Sequence, residues 1–266
     1  MKQGPWTRIR PLQIDEVDDY TAAAYRQGEL TWGHFPNNLM KVMGHCPSLA
    51  ITEVPYANSF IFDIDVFNQG KQFAGFLDRP LKELCISRTS LHNRSRYSVT
   101  HHSFIGFMLF KSVGREEEGH NKLLHLHEHA ANRGIYTARE NICFDVIVKM
   151  CQDAHTVTDA EFGSLKREFD RYNRGQLPAG EVTEFDRHFV EKWRGYDDKQ
   201  HAALVDRQVV EFAWLVGHFC LLNRWFTFLQ VPDEAPDDEA NFQGAYDANV
   251  PADIRQRNER LLGHGF

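Results

Sequence analysis

The clearest apolar pattern is Val205, Val209, Phe212, Val216 and Phe219, which step by four and three residues and so line one face of a helix. Upstream, Thr137 and Glu140 form a capping box ahead of Ile142, Val146 and Met150. Thr158 and Glu161 repeat the device ahead of Phe162, Leu165 and Phe169. Residues 1–10 read as an extended lead-in, after which Pro11 opens an amphipathic helix with Leu12, Val17, Tyr20 and Ala24 on one side and an end near Gly28. Further helices are expected over Pro36–Met43, packing through Leu39, Met40 and Met43, and from Pro47 onward. Between Ser59 and Phe67 the pattern is double: Phe60, Phe62, Ile64 and Val66 alternate as in a strand, whereas Phe60, Ile64 and Phe67 fit a helix. Residues 113–135 are polar and read as an inserted helix or lid. Residues 173–195, with Gly175, Pro178 and Gly180, read as a second insertion, a loop leading into a helix. From Pro232 the chain turns acidic and is expected to wrap the surface or a neighbouring subunit before a final helix over Ala252–Leu262.

The candidate chemistry lies in Glu83–His102, ELCISRTSLHNRSRYSVTHH. Leu81, Leu84, Cys85, Thr89 and Leu91 give one helical face, His92-Asn93-Arg94 reads as a tight connection, and a second helix starts near Ser95 and runs through Phe104, Phe107, Met108 and Phe110 to about Ser112. On that second helix Ser95, Ser98 and His102 share a stripe, and an antiparallel partner helix brings Glu83 back toward it, so that a carboxylate orients an imidazole. A plainer reading competes: Ser95 as N-cap, Ser98 in the first turn, His102 as a core histidine.

Composition narrows the function. A net charge of −7 with no basic face argues against nucleic-acid binding. The run Val209–Leu229 is the sole membrane candidate, but Glu211, His218, Asn223 and Arg224 interrupt it, so a buried helix is the better reading. MKQGPWTRIR has no apolar core of the signal-peptide kind, and the five cysteines, Cys46, Cys85, Cys143, Cys151 and Cys220, are dispersed; both features suggest a cytoplasmic protein with reduced thiols. Among the histidines of residues 113–135, His125 and His129 stand at i, i+4 and are weak candidates for a metal pair; a solvated helix explains them more simply.

The spacing from Glu83 through Ser95 and Ser98 to His102 resembles the Glu-x11-Cys-x2-Cys-x3-His signature of the alkylhydroperoxidase D-like branch of the carboxymuconolactone decarboxylase superfamily, with serine at both cysteine places. PNNLMKVMGHCPSLA at 36–50, RPLKELCISRTS at the glutamate, RYSVTHH, and the stretches 137–165 and 209–225 extend the likeness to roughly residues 36–230. The resemblance implies an all-α fold around a central helix hairpin, assembly as a homo-oligomer (dimer, trimer or hexamer), and helix for 59–67. It also implies a division into an N-terminal extension (1–35), the helical domain (36–230, inserted near 113–135 and 173–195) and a tail (231–266).

In that branch the two cysteines carry the peroxidase reaction, and a serine hydroxyl replaces neither thiolate nor sulfenic acid. The family's peroxiredoxin label therefore fits this chain poorly. The decarboxylase branch implies instead a cofactor-free lyase or isomerase acting on a small unsaturated carboxylic acid or its lactone. His102 is then the acid/base and Glu83 its orienting carboxylate. Ser95, Ser98 and Tyr97 are hydrogen-bonding groups, Arg88, Arg94 and Arg96 carboxylate-binding forks, and His101, rotated about 100° from His102, an outer contributor. A non-catalytic or metal-binding scaffold is the remaining alternative.

Overall fold

In chain order the computed structural model has α1 (Asp19–Thr31), α2 (Asn38–Met43), α3 (Pro47–Phe60), β1 (Ile64–Asp65), β2 (Lys71–Gln72), α4 (Arg79–His92), α5 (Arg96–Ser112), α6 (Glu116–His125), α7 (Ala138–Gln152), α8 (Asp159–Asn173), α9 (Glu184–Glu191), α10 (Asp198–Leu229), α11 (Phe242–Asn249) and α12 (Ala252–Leu262). The structure describes residues 8–31, 37–61, 64–65, 71–72, 75–177, 184–234 and 242–263. The expected helix start at Pro36, positions Phe62, Val66 and Phe67, Pro178, Gly180 and the acidic stretch 235–240 lie outside them.

The fold is all-α; its only described strands are two residues each, pairing Ile64 with Gln72 and Asp65 with Lys71. The helix expected through residue 67 therefore ends at Phe60, and Ile64 takes the alternating reading. The first helix also departs from expectation. Residues 14–16 form a single 3₁₀ turn and α1 begins at Asp19, where Asp18 Oδ1 accepts the Thr21 N–H at 2.8 Å. Asp18 thus supplies the N-cap, and Tyr20, expected on the packing side, is exposed.

Most helix starts follow from local chemistry. Asn37 Oδ1 accepts the Met40 N–H, Asp78 Oδ1 accepts the Leu81 N–H ahead of Pro80, and Thr137 and Thr158 complete the two capping boxes with Glu140 and Glu161. On α7 the buried face is Cys143, Phe144, Val146, Ile147 and Cys151, turned from the expected Ile142–Met150 stripe; Ile142 and Met150 are only half-buried.

Packing divides the chain into two compact units. The first comprises 1–75, 94–104 and 222–266, the second 76–93 and 105–221. In the first, α1, α2 and α3 pack through Tyr25, Met40, Val54 and Ala57. Gly44 is required there, because any side chain would run into the Tyr25 hydroxyl, which donates to the Lys41 carbonyl. Asn258 of α12 donates to Ser103 Oγ and Tyr246 Oη, tying α12 to the middle of α5 and to α11.

In the second unit α7 packs on α4 and α8 around Leu84, Phe144, Ile147 and Phe169. The segment read as a lid is part of this core: Leu123, Leu126 and His129 are buried, and Gly119 lets α6 lie against the Phe110 ring, where a Cβ would collide. Lys82, fully buried, pairs with Glu211 Oε1 at 2.6 Å, while Glu211 Oε2 accepts the N–H groups of Phe76 and Leu77. That glutamate interrupts the apolar run of α10 to answer a buried ammonium.

Candidate active site

Helix α5 presents Arg96, Tyr97 and His101 from its first turns to the segment that follows α10. Val231 and Glu234, at the start of the stretch expected to wrap the surface, are buried, while Pro232 and Asp233 are partly buried. Glu234 is 2% exposed, and Asn38 clips the segment by donating from Nδ2 to the carbonyls of Pro232 and Asp233 at 3.1 and 3.2 Å.

Three donors converge on the Glu234 carboxylate. His101 Nε2 lies 2.8 Å from Oε2, and Tyr97 Oη and the Asn38 N–H donate to Oε1 at 2.9 and 2.8 Å. The other imidazole nitrogen, Nδ1, lies 2.7 Å from the Tyr97 carbonyl. With an acceptor at each nitrogen, the doubly protonated ring satisfies both, so His101 is an imidazolium beside a carboxylate. Burial by itself lowers the His101 pKa, but the charge and hydrogen bond of Glu234 outweigh it and the net shift is upward. Burial raises Glu234, yet His101 and the Asn38 N–H hold it below the usual carboxylate range. Burial, reinforced by the Glu234 charge, pushes the Tyr97 phenol well up, so it stays a neutral donor. The ring of His101 is sandwiched between Tyr97 and Phe242, with centroids 4.0 and 4.2 Å away, which suits a cation over two π faces.

Next to this pair, Asp233 receives Arg96 Nε on Oδ2 at 3.1 Å while its buried Oδ1 has no hydrogen-bond partner. Burial raises the Asp233 pKa, and His101 and Arg96 offset this only in part. Asp233 lines a cavity of about 50 Å³ together with Arg96, Thr100, Gln243, Arg255 and Asn258. The arrangement sets a carboxyl whose pKa burial raises above the ordinary aspartate value beside a buried imidazole–carboxylate pair.

The remaining sequence candidates distribute as follows. His102 is buried on α5 in the first unit. Ser95 and Ser98 are buried, and Ser95 Oγ, at the N-cap position of α5, has no hydrogen-bond partner, so it does not cap the helix. Arg94 is exposed in the α4–α5 connection with φ 54°, a backbone region that few non-glycine residues occupy. Glu83 belongs to the second unit, is fully buried, and is paired with Arg79 one turn earlier; its Cβ lies 3.7 Å from where a Cβ on Gly106 would stand. Arg88, also in the second unit, donates from Nε to His129 Nδ1 at 3.2 Å, and His129 Nε2 donates to Asp145 at 3.1 Å. Both nitrogens of His129 are thereby engaged, and it is buried rather than solvated, unlike the expected polar helix.

The second unit also holds a cavity of about 250 Å³, lined by Arg115, Lys122, Arg139 and Arg171 and by Asp78, Glu118, Glu140 and Glu168. Its charges are matched in pairs: Arg139 with Asp78 at 2.7 Å, Lys122 with Glu140 at 2.7 Å and with Glu118 at 2.8 Å.

Glu234 and Asp233 were not foreseen. The sequence signal was an acidic pair, Asp233-Glu234, only three residues (Gln230-Val231-Pro232) beyond the apolar end of α10 at Phe228-Leu229.

Solved structures with the same architecture place the fold. An uncharacterized peroxidase-related protein from Ralstonia eutropha JMP134, described as an alkylhydroperoxidase AhpD core, superposes with a TM-score of 0.58 at 16% identity, covering 91% of this chain and 98% of its own. The fold is that of the AhpD core. A second uncharacterized peroxidase-related protein, from Silicibacter sp. TM1040, gives a TM-score of 0.56 at 16% identity over 88% of this chain and 95% of its own. No protein-family model matches the chain, and no curated protein is similar to it. Among the described residues no helix is long and apolar enough to cross a membrane.

Proposed function

We propose that the chain is an acid–base enzyme of the carboxymuconolactone decarboxylase type, acting without metal or organic cofactor on a small unsaturated carboxylic acid or its lactone. The observation that carries this reading is the buried cluster of His101, Glu234 and Tyr97 with the Asp233 carboxyl beside it. Asp233 is the proton donor to a carbanion or enolate that develops at the small cavity, and the His101–Glu234 pair fixes the electrostatic field around it. Arg96, whose side chain is 44% exposed, and Arg255, which lines the same cavity, bind the substrate carboxylate. By the motif's spacing, Glu83 and His102 are each expected to serve in proton transfer, and Ser95 and Ser98 to hydrogen-bond substrate oxygens. Hydroxyls at 95 and 98 cannot run the two-thiol peroxidase cycle, which disfavours the antioxidant alternative.

The test offers a panel of small unsaturated acids and lactones and follows carbon dioxide release and solvent-deuterium incorporation by NMR. Asp233→Asn should lower kcat by about 10²–10⁴-fold, the usual worth of a positioned acid. Glu83→Gln and His102→Ala should each abolish turnover with the helical circular-dichroism signal intact. A wild-type protein that neither turns over nor exchanges any member of the panel, or an Asp233→Asn variant at full rate, overturns the proposal.

A further inference from the structure

The cysteines are scattered in sequence but not in space. Cys85 and Cys143, both wholly buried, lie against one another, and burial drives the Cys85 thiol well up. That pair has the character of inert core thiols. Cys151, in the last turn of α7, and Cys220, on α10, differ in three respects. Their sulfurs stand 3.5 Å apart without a bond, across 69 residues of chain. Asn93 Nδ2 points at both sulfurs, 3.8 Å from Cys151 and 3.7 Å from Cys220. Cys220 is partly exposed while Cys151 is buried.

Two polar groups stand beside these sulfurs. An amide N–H shared by two sulfurs stabilises negative charge on either, and the Arg88 guanidinium is close enough that Cys151 perturbs it: burial lowers the Arg88 pKa while the charge of Cys151 raises it. Disulfide formation requires the sulfurs to close from 3.5 Å to the bonded length of about 2.05 Å, a side-chain movement of about 1.5 Å.

We propose that Cys151 and Cys220 form a redox-active dithiol that exchanges with low-molecular-weight disulfides, a site independent of the acid–base reading above. The Cys220 thiolate, the accessible one, attacks one sulfur of the small disulfide. One thiolate leaves with the bonding electron pair and takes a proton, and a mixed disulfide remains on Cys220. The Cys151 thiolate then attacks Cys220 Sγ, forming the Cys151–Cys220 bond and expelling the second small thiolate, which is protonated in turn. Two protein thiols give up two electrons and two protons, and one small disulfide becomes two thiols. Asn93 holds both sulfurs in line for the second step.

The experiment uses the full chain and oxidised glutathione as the probe, read by intact mass and by mapping of alkylated peptides. The expected result is loss of two hydrogen masses, a 151–220 cross-linked peptide, and Cys85 and Cys143 still alkylated after unfolding. Cys151→Ser should stop at the mixed disulfide on Cys220, and Cys220→Ser should leave Cys151 unmodified. Asn93→Ala, with both thiols present, should slow cross-linking several-fold at neutral pH. Glutathione retained on Cys220 of the wild type without a cross-link, modification of the exposed Cys46 alone, or a cross-link between Cys85 and Cys143 would each overturn the proposal.

Discussion

Replacing Glu234 by glutamine keeps the shape of the side chain and removes the charge opposite His101. Breaking a buried ion pair by losing one partner costs about 3–5 kcal/mol, and Glu234 is buried enough for that range to apply. The glutamine retains acceptors for Tyr97 and the Asn38 N–H, so the loss should fall near the lower end, about 3 kcal/mol. At about 2–4 °C per kcal/mol for a chain of this size, the melting temperature should drop by about 6–12 °C. The pH dependence is more specific. Glu234 has a depressed pKa in the folded state, so its contribution is present above its unfolded value, about 4.3, and is lost as pH falls through the lower folded value. His101 has a raised folded pKa, so its contribution is complete below about 6.5 and is lost as pH rises through the higher folded value. The gap between wild type and Glu234→Gln should therefore be widest between about pH 4.5 and 6.5 and shrink on either side. NMR titration of the His101 ring supplies the microscopic check: with the carboxylate gone, burial dominates and its pKa should fall below the ordinary histidine value. A stability gap that is constant from acid to alkaline pH, or a His101 pKa unchanged by the substitution, would refute the imidazolium–carboxylate assignment.

Two further outcomes test the packing. Gly119→Ala places a methyl group against the Phe110 ring and should cost about 1–3 kcal/mol, measured by urea unfolding, although alanine is the better helix former. On α10, Val210, Trp214, Leu221 and Phe228 are exposed at intervals of four, seven and seven residues, a spacing suited to pairing with another helix. Sedimentation should show a homo-oligomer that Trp214→Glu reduces to smaller species; a wild type that sediments as a monomer removes this face from any assembly.

The parts of the fold that could be read from sequence are those governed by local rules. The capping boxes at Thr137 and Thr158 and the core helix through Phe212 and Phe219 appear where short-range chemistry puts them, and the connection expected at 92–94 lies one residue on, at 93–95. Long-range compensation was not legible. Glu211 looked like an interruption because its partner Lys82 is remote in sequence, and Glu234 looked like tail charge because its partners Asn38, Tyr97 and His101 belong to helices far upstream. The buried ion pair of His101 was not legible for a related reason. Adjacent residues on a helix point about 100° apart, and periodicity alone does not say which of His101 and His102 meets a carboxylate supplied from elsewhere. The cysteine pairs were invisible on the same ground, since their members are separated by tens of residues.

The clip between Asn38 and the segment 232–234 joins positions 196 residues apart. During synthesis, which proceeds from the N-terminus, α5 and its imidazole emerge well before the carboxylate that neutralises them. A nascent or truncated chain that stops short of Pro232 holds Tyr97, His101 and the α2 amide without their counter-charge, so the buried ion pair comes into being only when residues 232–234 arrive.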